Sequence, residues 1–438
     1  MLMKMALRNL RRNTRRTLIT LASIAFGLML ALTFTGIGDS GYTKLINSAA
    51  RLGWGHVTVL HPDYMVSPSL SKTIQKASEL RNIVEADPNV THAVVRITGQ
   101  AMVATARESI GAAFVALDPE NETPDTHLLL EHIIEGELFT ADDKTGVVIG
   151  AKMAENLDVG IGDKVVYTCS DRHGEIVSGL GRVRGIYKTG SDQADRFMVL
   201  LPIRRARQIL GYGPDEATMV AGFCSDVNRV SLTRSRLIRA VGKSNIHIIP
   251  DTSNTMTGGD PEQGRADASA VKPAVEKWTE TASDMAGLVQ MDRTMNYLFQ
   301  VIVFLLITAG ILNTILMSVL ERTREFGVMM AIGMSPVRLF GLVLTEAFWI
   351  SIFGIISGLI VTAPLYWWLH TVGWDISKYF GETEVAGVIY DPTIYNDLRL
   401  DSLLVILSIS FGIIMVSGVY PAWRAGRVAP VESLKRMG

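Results

Sequence analysis

Residues 321–337 read ERTREFGVMMAIGMSPV, a short polar-then-apolar segment set between two long hydrophobic runs. Before it, 294–320 carries no charged residue; after it, 339–369 carries one, Glu346. A hydrocarbon core of roughly 30 Å is crossed by about 20 apolar helical residues, so both flanks read as membrane spans. The segment between them is too short to be a domain and reads as a tight turn at one membrane face.

Working outward, 17–38 and 402–423 are also free of charge. A basic start followed by an apolar run could mark a cleaved leader, but 17–38 is too long for a leader core and ends on no clean small-x-small site. It is expected to be an uncleaved first span. The chain of 438 residues, 48% of them hydrophobic, therefore divides into a basic segment 1–16, span one at 17–38, and a domain at 39–293. Span two at 294–320, the turn 321–338, span three at 339–369, a loop 370–401, span four at 402–423 and a tail 424–438 complete it. The expected fold class is an α-helical membrane protein with four transmembrane helices and a large extracytoplasmic α+β domain between the first and second.

Charge sets the orientation. Residues 1–16 hold Lys4, Arg8, Arg11, Arg12, Arg15 and Arg16 and no acid, and the tail holds four basic residues against Glu432. The 39–293 domain is net acidic, and so is the 370–401 loop. Lys and Arg gather on the cytoplasmic side of short membrane segments, which places both termini and the turn inside and the domain outside. Met3, Leu7 and Leu10 fall at helical spacing, so 1–16 also reads as an amphipathic helix lying on an anionic lipid surface, or else as a basic tail.

Within 39–293, strand-like runs are expected at 56–60, 90–97, 113–117, 147–149, 164–168, 182–187, 197–201, 218–223 and 246–249. Helices are expected at 71–86, 151–157, 203–210 and 227–241. Their mixture implies an α+β domain, large enough for two subdomains. The stretch 251–272, rich in Gly, Ser, Thr, Asp and Pro, reads as a loop, and 273–295 as a helix running into span two.

No catalytic constellation is found. Gly242, Lys243 and Ser244 resemble the end of a phosphate loop, but that motif needs glycine at 237, where the chain has Leu237. His132, His173 and His247 are scattered. Cys169 and Cys224 lack metal-site spacing; in an oxidising compartment they could pair as a disulfide, the alternative being two unpaired small hydrophobes. Metal, cofactor and nucleic acid are not expected to bind this chain. Glu346 is expected to take a structural role, by pairing or by reaching the headgroups, in preference to a proton relay. Gly354 and Gly358 permit close helix approach, within the chain or across a dimer.

Three stretches carry a resemblance. They are MALRNLRRNTRRTLITLASIAFG, then EKWTETASDMAGLVQMDRTMNYL leading through span two into ERTREFGVMMAIGMSPVRLFGLVLTEAFWIS, and last YPAWRAGRVAPVESLKRMG. Together with the order of spans they resemble the permease subunits of ABC systems of the MacB, FtsX and LolC/LolE type, nearest the lipoprotein-releasing branch. The resemblance implies a non-enzymatic permease of the bacterial inner membrane. A separate cytoplasmic ATPase dimer uses ATP and magnesium, and a second copy or a sister permease completes the pair. A periplasmic carrier or an outer partner is a further implied contact, and membrane lipids surround the spans.

The implied task is extraction or export of lipoproteins or other amphiphiles. The alternatives are MacB-like export of peptides or small molecules and FtsX-like signalling to a cell-wall hydrolase. The turn would then be the coupling segment that seats in the ATPase. Glu321, Arg322, Arg324 and Glu325 would supply its charges, Phe326, Met329, Met330 and Ile332 its apolar anchors, and Gly333 its bend.

Overall fold

The computed structural model describes residues 2–12, 14–244, 246, 248, 272–376, 383–385, 388–390 and 393–427. Two compact units emerge. One comprises Met1–Tyr42, Gln290–Lys378 and Thr393–Gly438, the other Thr43–Val289 and Tyr379–Pro392.

The first unit is helical. The helices Thr14–Ala49, Ser283–Glu321, Pro336–Thr371 and Leu400–Gly426 carry the four apolar runs, and each is long and apolar enough to cross a membrane. They outrun the uncharged segments: the first continues to Ala49 and the second begins at Ser283. At 1.5 Å per residue, a helix of 36 residues is about 54 Å long, well beyond the hydrocarbon. Charge sets where the lipid-compatible stretch ends, but it does not end a helix, because Asp, Lys and Glu are tolerated on a helix surface. Pro336 starts the third helix behind Ser335, a position where the missing N–H costs nothing.

Helix packing in this unit rests on glycine. A Cβ on Gly354 would lie 2.8 Å from Ile24, and one on Gly358 would lie 2.6 Å from Leu28. The pair at 354 and 358 thus seats the third helix on the first within one chain. Gly27 in turn receives Ile307 of the second helix, at 2.3 Å from its would-be Cβ, and Gly418 receives Ala347 at 2.7 Å. The basic helix Leu2–Arg12 forms as the sequence suggests, but its inward face is Met5, Ala6 and Leu10, while Met3 and Leu7 stay exposed.

The second unit is built on a ten-stranded sheet. Its strands are β1 (Val57–Leu60), β2 (Val90–Ala104), β3 (Ser109–Leu117), β4 (Ile133–Gly136), β5 (Gly146–Gly150), β6 (Lys164–Ser170), β7 (Ile176–Tyr187), β8 (Met198–Pro202), β9 (Met219–Cys224) and β10 (Ala274–Lys277). The order is β10-β1-β9-β2-β3-β8-β5-β7-β4, with β6 joining β2 and β7. The long β2 is shared: Val90 to Arg96 pair with β9, Ile97 to Ala104 with β3, and its last residues also with β6.

Helices Ala77–Glu85, Ala151–Leu157, Ile203–Leu210 and Val230–Lys243 pack with it. The expected helix at 71–86 starts only at Ala77, because Ile74 is drawn into bridges with Ala217 and Ile248. The expected helix at 273–295 opens instead as β10, which covers the free edge of β1. That edge partner is more than 200 residues away in sequence and no local pattern announces it. Of the run expected at 246–249, residues 247 and 249 lie outside the described residues, as does the loop from 251 to 271.

One ion pair anchors this domain. Arg96, fully buried, donates Nε and Nη2 to the two carboxylate oxygens of Glu122 at 2.7 and 2.8 Å. Its remaining donors reach the carbonyls of Gly53 and Thr126. Four of the five N–H donors of this buried guanidinium are thereby used, as the low dielectric favours. Cys169 and Cys224 are both free and buried, so the disulfide envisaged from composition does not form; burial pushes their thiols up to about 11 and about 12.

Candidate functional site

The turn after the second span folds as the helix Thr323–Ala331, preceded by Arg322 and followed by Gly333, whose φ of +104° lies in the left-handed region that glycine tolerates best. That glycine lets the chain reverse before Ser335 begins the third span. On so short a helix, positions three and four apart share a face. Residues 322, 325, 326, 329 and 330 face inward; 324, 328 and 332 face outward.

The inward face is committed to this chain. Arg322 donates Nη1 to Glu346 at 2.9 Å and Nε to Glu325 at 3.1 Å, and its guanidinium sits 5.2 Å from the centre of the Phe326 ring. Asn9 donates to the same Glu346 oxygen at 2.6 Å. Arg12 pairs with Glu325 and Arg16 with Glu321. Phe326 is 1% exposed and belongs to the helical core, with Met329 and Met330 packed partly against it.

Phe326 therefore cannot serve as an apolar anchor on the surface, and the charges of Glu321, Arg322 and Glu325 are already paired. Partial burial alone would push Glu325 up, but the hydrogen bonds from Arg322 and Arg12 outweigh it and hold the carboxyl below its ordinary range. It stays ionised wherever the pairs persist.

The outward face is free. Arg324 is exposed and makes no ion pair among the described residues. Ile332 is 82% exposed, Val337 78% and Val328 42%. This face therefore leaves apolar side chains uncovered alongside the Arg324 cation. Of the residues expected to dock, Arg324 and Ile332 face outward and Gly333 shapes the bend. Val328 and Val337 join them, and the helical spacing from Arg324 could have revealed Val328. The partners Asn9, Arg12 and Arg16 had no such signal, since nothing local ties residues more than 300 positions apart. Glu346, only 8% exposed, takes the structural pairing rather than a free carboxylate's role. Among the described residues no group of His, Cys, Asp or Glu is placed to hold a metal ion.

The comparisons with known proteins follow this architecture. Residues 17–240, more than half the chain, match the family described as MacB-like periplasmic core domain, and residues 297–430 match the FtsX-like permease C-terminal family. The chain belongs to the MacB/FtsX/LolC–LolE superfamily of ABC transporter permeases.

Among its relatives, the macrolide export ATP-binding/permease protein MacB of Nitrobacter winogradskyi is 24% identical over 97% of this chain, which spans 58% of that protein's length. The lipoprotein-releasing system transmembrane protein LolC of Xylella fastidiosa strain Temecula1 is 22% identical over 98% of this chain and 96% of its own. Among solved structures, the periplasmic region of MacB from Actinobacillus actinomycetemcomitans aligns at 13% identity with a TM-score of 0.32, covering 49% of this chain and 97% of that one.

Proposed function

We propose that this permease converts ATP hydrolysis by a separate cytoplasmic ATPase dimer into extraction or export of a lipoprotein or other amphiphile from the bacterial inner membrane. The termini and the turn lie in the cytoplasm and the sheet domain outside, as the basic tails favour. A second copy of the chain or a sister permease completes the transporter. The chain itself carries no catalytic step; the ATPase holds ATP and magnesium.

The observation that carries the reading is the split turn. One face is stitched into the bundle by Arg322, Glu325 and Phe326, and the other leaves Ile332, Val337 and Arg324 exposed. Such a segment moves with its spans and still has something to hold. Relatives named for lipoprotein release match along almost their whole length, which favours that cargo. The relative named for macrolide export covers as much of this chain, so small-molecule export is the second reading.

The test is co-purification of the ATPase with the full chain and with Arg324→Glu and Ile332→Asp. Loss of the ATPase from both variants, with the fold intact, is expected. Retention at wild-type stoichiometry removes the turn from the coupling, and full activity of the chain without any ATPase sinks the transport reading. Depletion in cells separates the cargoes: lipoproteins held in the inner membrane support release, and their normal sorting supports export.

A further inference from the structure

A second feature of the helical unit is not used by the turn. Where the basic helix meets the first span, Arg12, Arg15 and Arg16 border a concavity of about 550 Å³. Asn313 of the second span lines its far side, and Ile19 and Met317 its apolar rim. Arg12 and Arg16 each spend one donor on the turn's glutamates. Arg15 is exposed and has no partner among the described residues. The other terminal nitrogen of Arg16, Nη1, is buried and closed off from the concavity.

Asn313 adds an amide to the same wall. It is exposed on a span, eight residues before Glu321 and therefore about 12 Å along the helix from that end. With the turn at the membrane face, as proposed above, its amide would stand near the depth where headgroups give way to acyl chains. Ile19 and Met317 are 58% and 51% exposed and continue the concavity toward the hydrocarbon.

We propose that this concavity binds the phosphate of an anionic phospholipid, with Arg15 and Asn313 on the headgroup, Arg12 and Arg16 as the positive charge at its border, and Ile19 and Met317 along an acyl chain. The combination of donors and an apolar exit selects a lipid over a free anion. Net positive charge, with Arg15 unpaired, selects an anionic lipid over a zwitterionic one. Because Arg12 and Arg16 border the concavity and also hold Glu325 and Glu321, the lipid would lie against the same two arginines that brace the turn. The site stands whether or not the turn docks an ATPase.

The experiment is native mass spectrometry of the full chain from mixed micelles holding equal phosphatidylglycerol and phosphatidylcholine. Preferential retention of one phosphatidylglycerol is expected. Arg15→Gln and Asn313→Leu should weaken it, by about fivefold for the lost charge. Arg8→Gln, an exposed arginine outside the concavity, should not.

Equal retention of the two lipids, or an equal drop in Arg8→Gln, would overturn the proposal in favour of diffuse surface attraction. Displacement by glycerol phosphate or inorganic phosphate at the lipid's own concentration would overturn it in favour of an anion site. Efficient disulfide cross-linking of two chains through Asn313→Cys would show that a second copy covers the surface instead.

Discussion

Removing the Glu346 carboxylate should unfasten the turn, and the size of the effect can be worked from its partners. Glu346 is 8% exposed and Arg322 7%, and the carboxylate oxygen that meets Arg322 also accepts from Asn9. Deleting one member of a buried ion pair costs about 3–5 kcal/mol, since the other charge is left unpaired. Arg322 keeps Glu325 at 3.1 Å, which places Glu346→Leu at the low end, about 3 kcal/mol. Glu346→Gln retains an uncharged acceptor and should cost about 1–2 kcal/mol.

The decisive comparison is the cycle Glu346→Gln, Arg322→Gln and the double variant, followed by denaturant unfolding of the full chain in one detergent. Groups in direct contact couple by about 0.5–3 kcal/mol, and about 2 kcal/mol is expected here. Additive single effects would refute the idea that these side chains act as one fastening. A coupled pair whose loss leaves ATPase stimulation unchanged would refute its place in the force path.

Two further outcomes concern the sheet domain. Arg96→Ala strands Glu122 in a fully buried position and should cost about 3–5 kcal/mol, whereas Arg96→Met with Glu122→Leu should recover most of it; thermal unfolding of the three chains compares them, and equal loss in single and double variants would contradict the pairing. Glu276 is pushed up to about 7 by burial and by the neighbouring Glu280, against the pull of Arg234. Its folded form therefore holds a proton that the unfolded chain releases near its ordinary value of 4.5. The resulting stability is fully present below about pH 4.5 and lost as pH rises through about 7. Glu276→Gln should flatten that dependence between pH 5 and 8, and a parallel pH profile in the two proteins would be the contrary result.

What could be read from residues alone follows a physical divide. Membrane spans are legible because hydrocarbon punishes every charge, so four uncharged runs stand out whatever they pack against. Strands such as β5 and β9 are legible because both faces are buried and the apolar run is continuous. β10 reads as helix from its own residues, because Ala274 to Lys277 becomes extended only through β1, far away in the chain. The turn is legible as a tight bend between two spans but not in its detail. Arg322 and Phe326 read as surface groups until Glu346 and the bundle core claim them. Gly354 and Gly358 announced a close approach, and only the positions of Ile24 and Leu28 tell that the partner is the same chain.

Those glycines carry a consequence for transport. Gly354 and Gly358 shut the seam between the third span and the first, Gly27 the seam between the first and second, and Gly418 the seam between the fourth and third. Each is a place where side chains mesh with backbone and no acyl chain could slip through without unpacking it. Single bundles built this way are walls rather than pores. On the proposed function, an amphiphile's route runs along the outer surface of this bundle rather than through it.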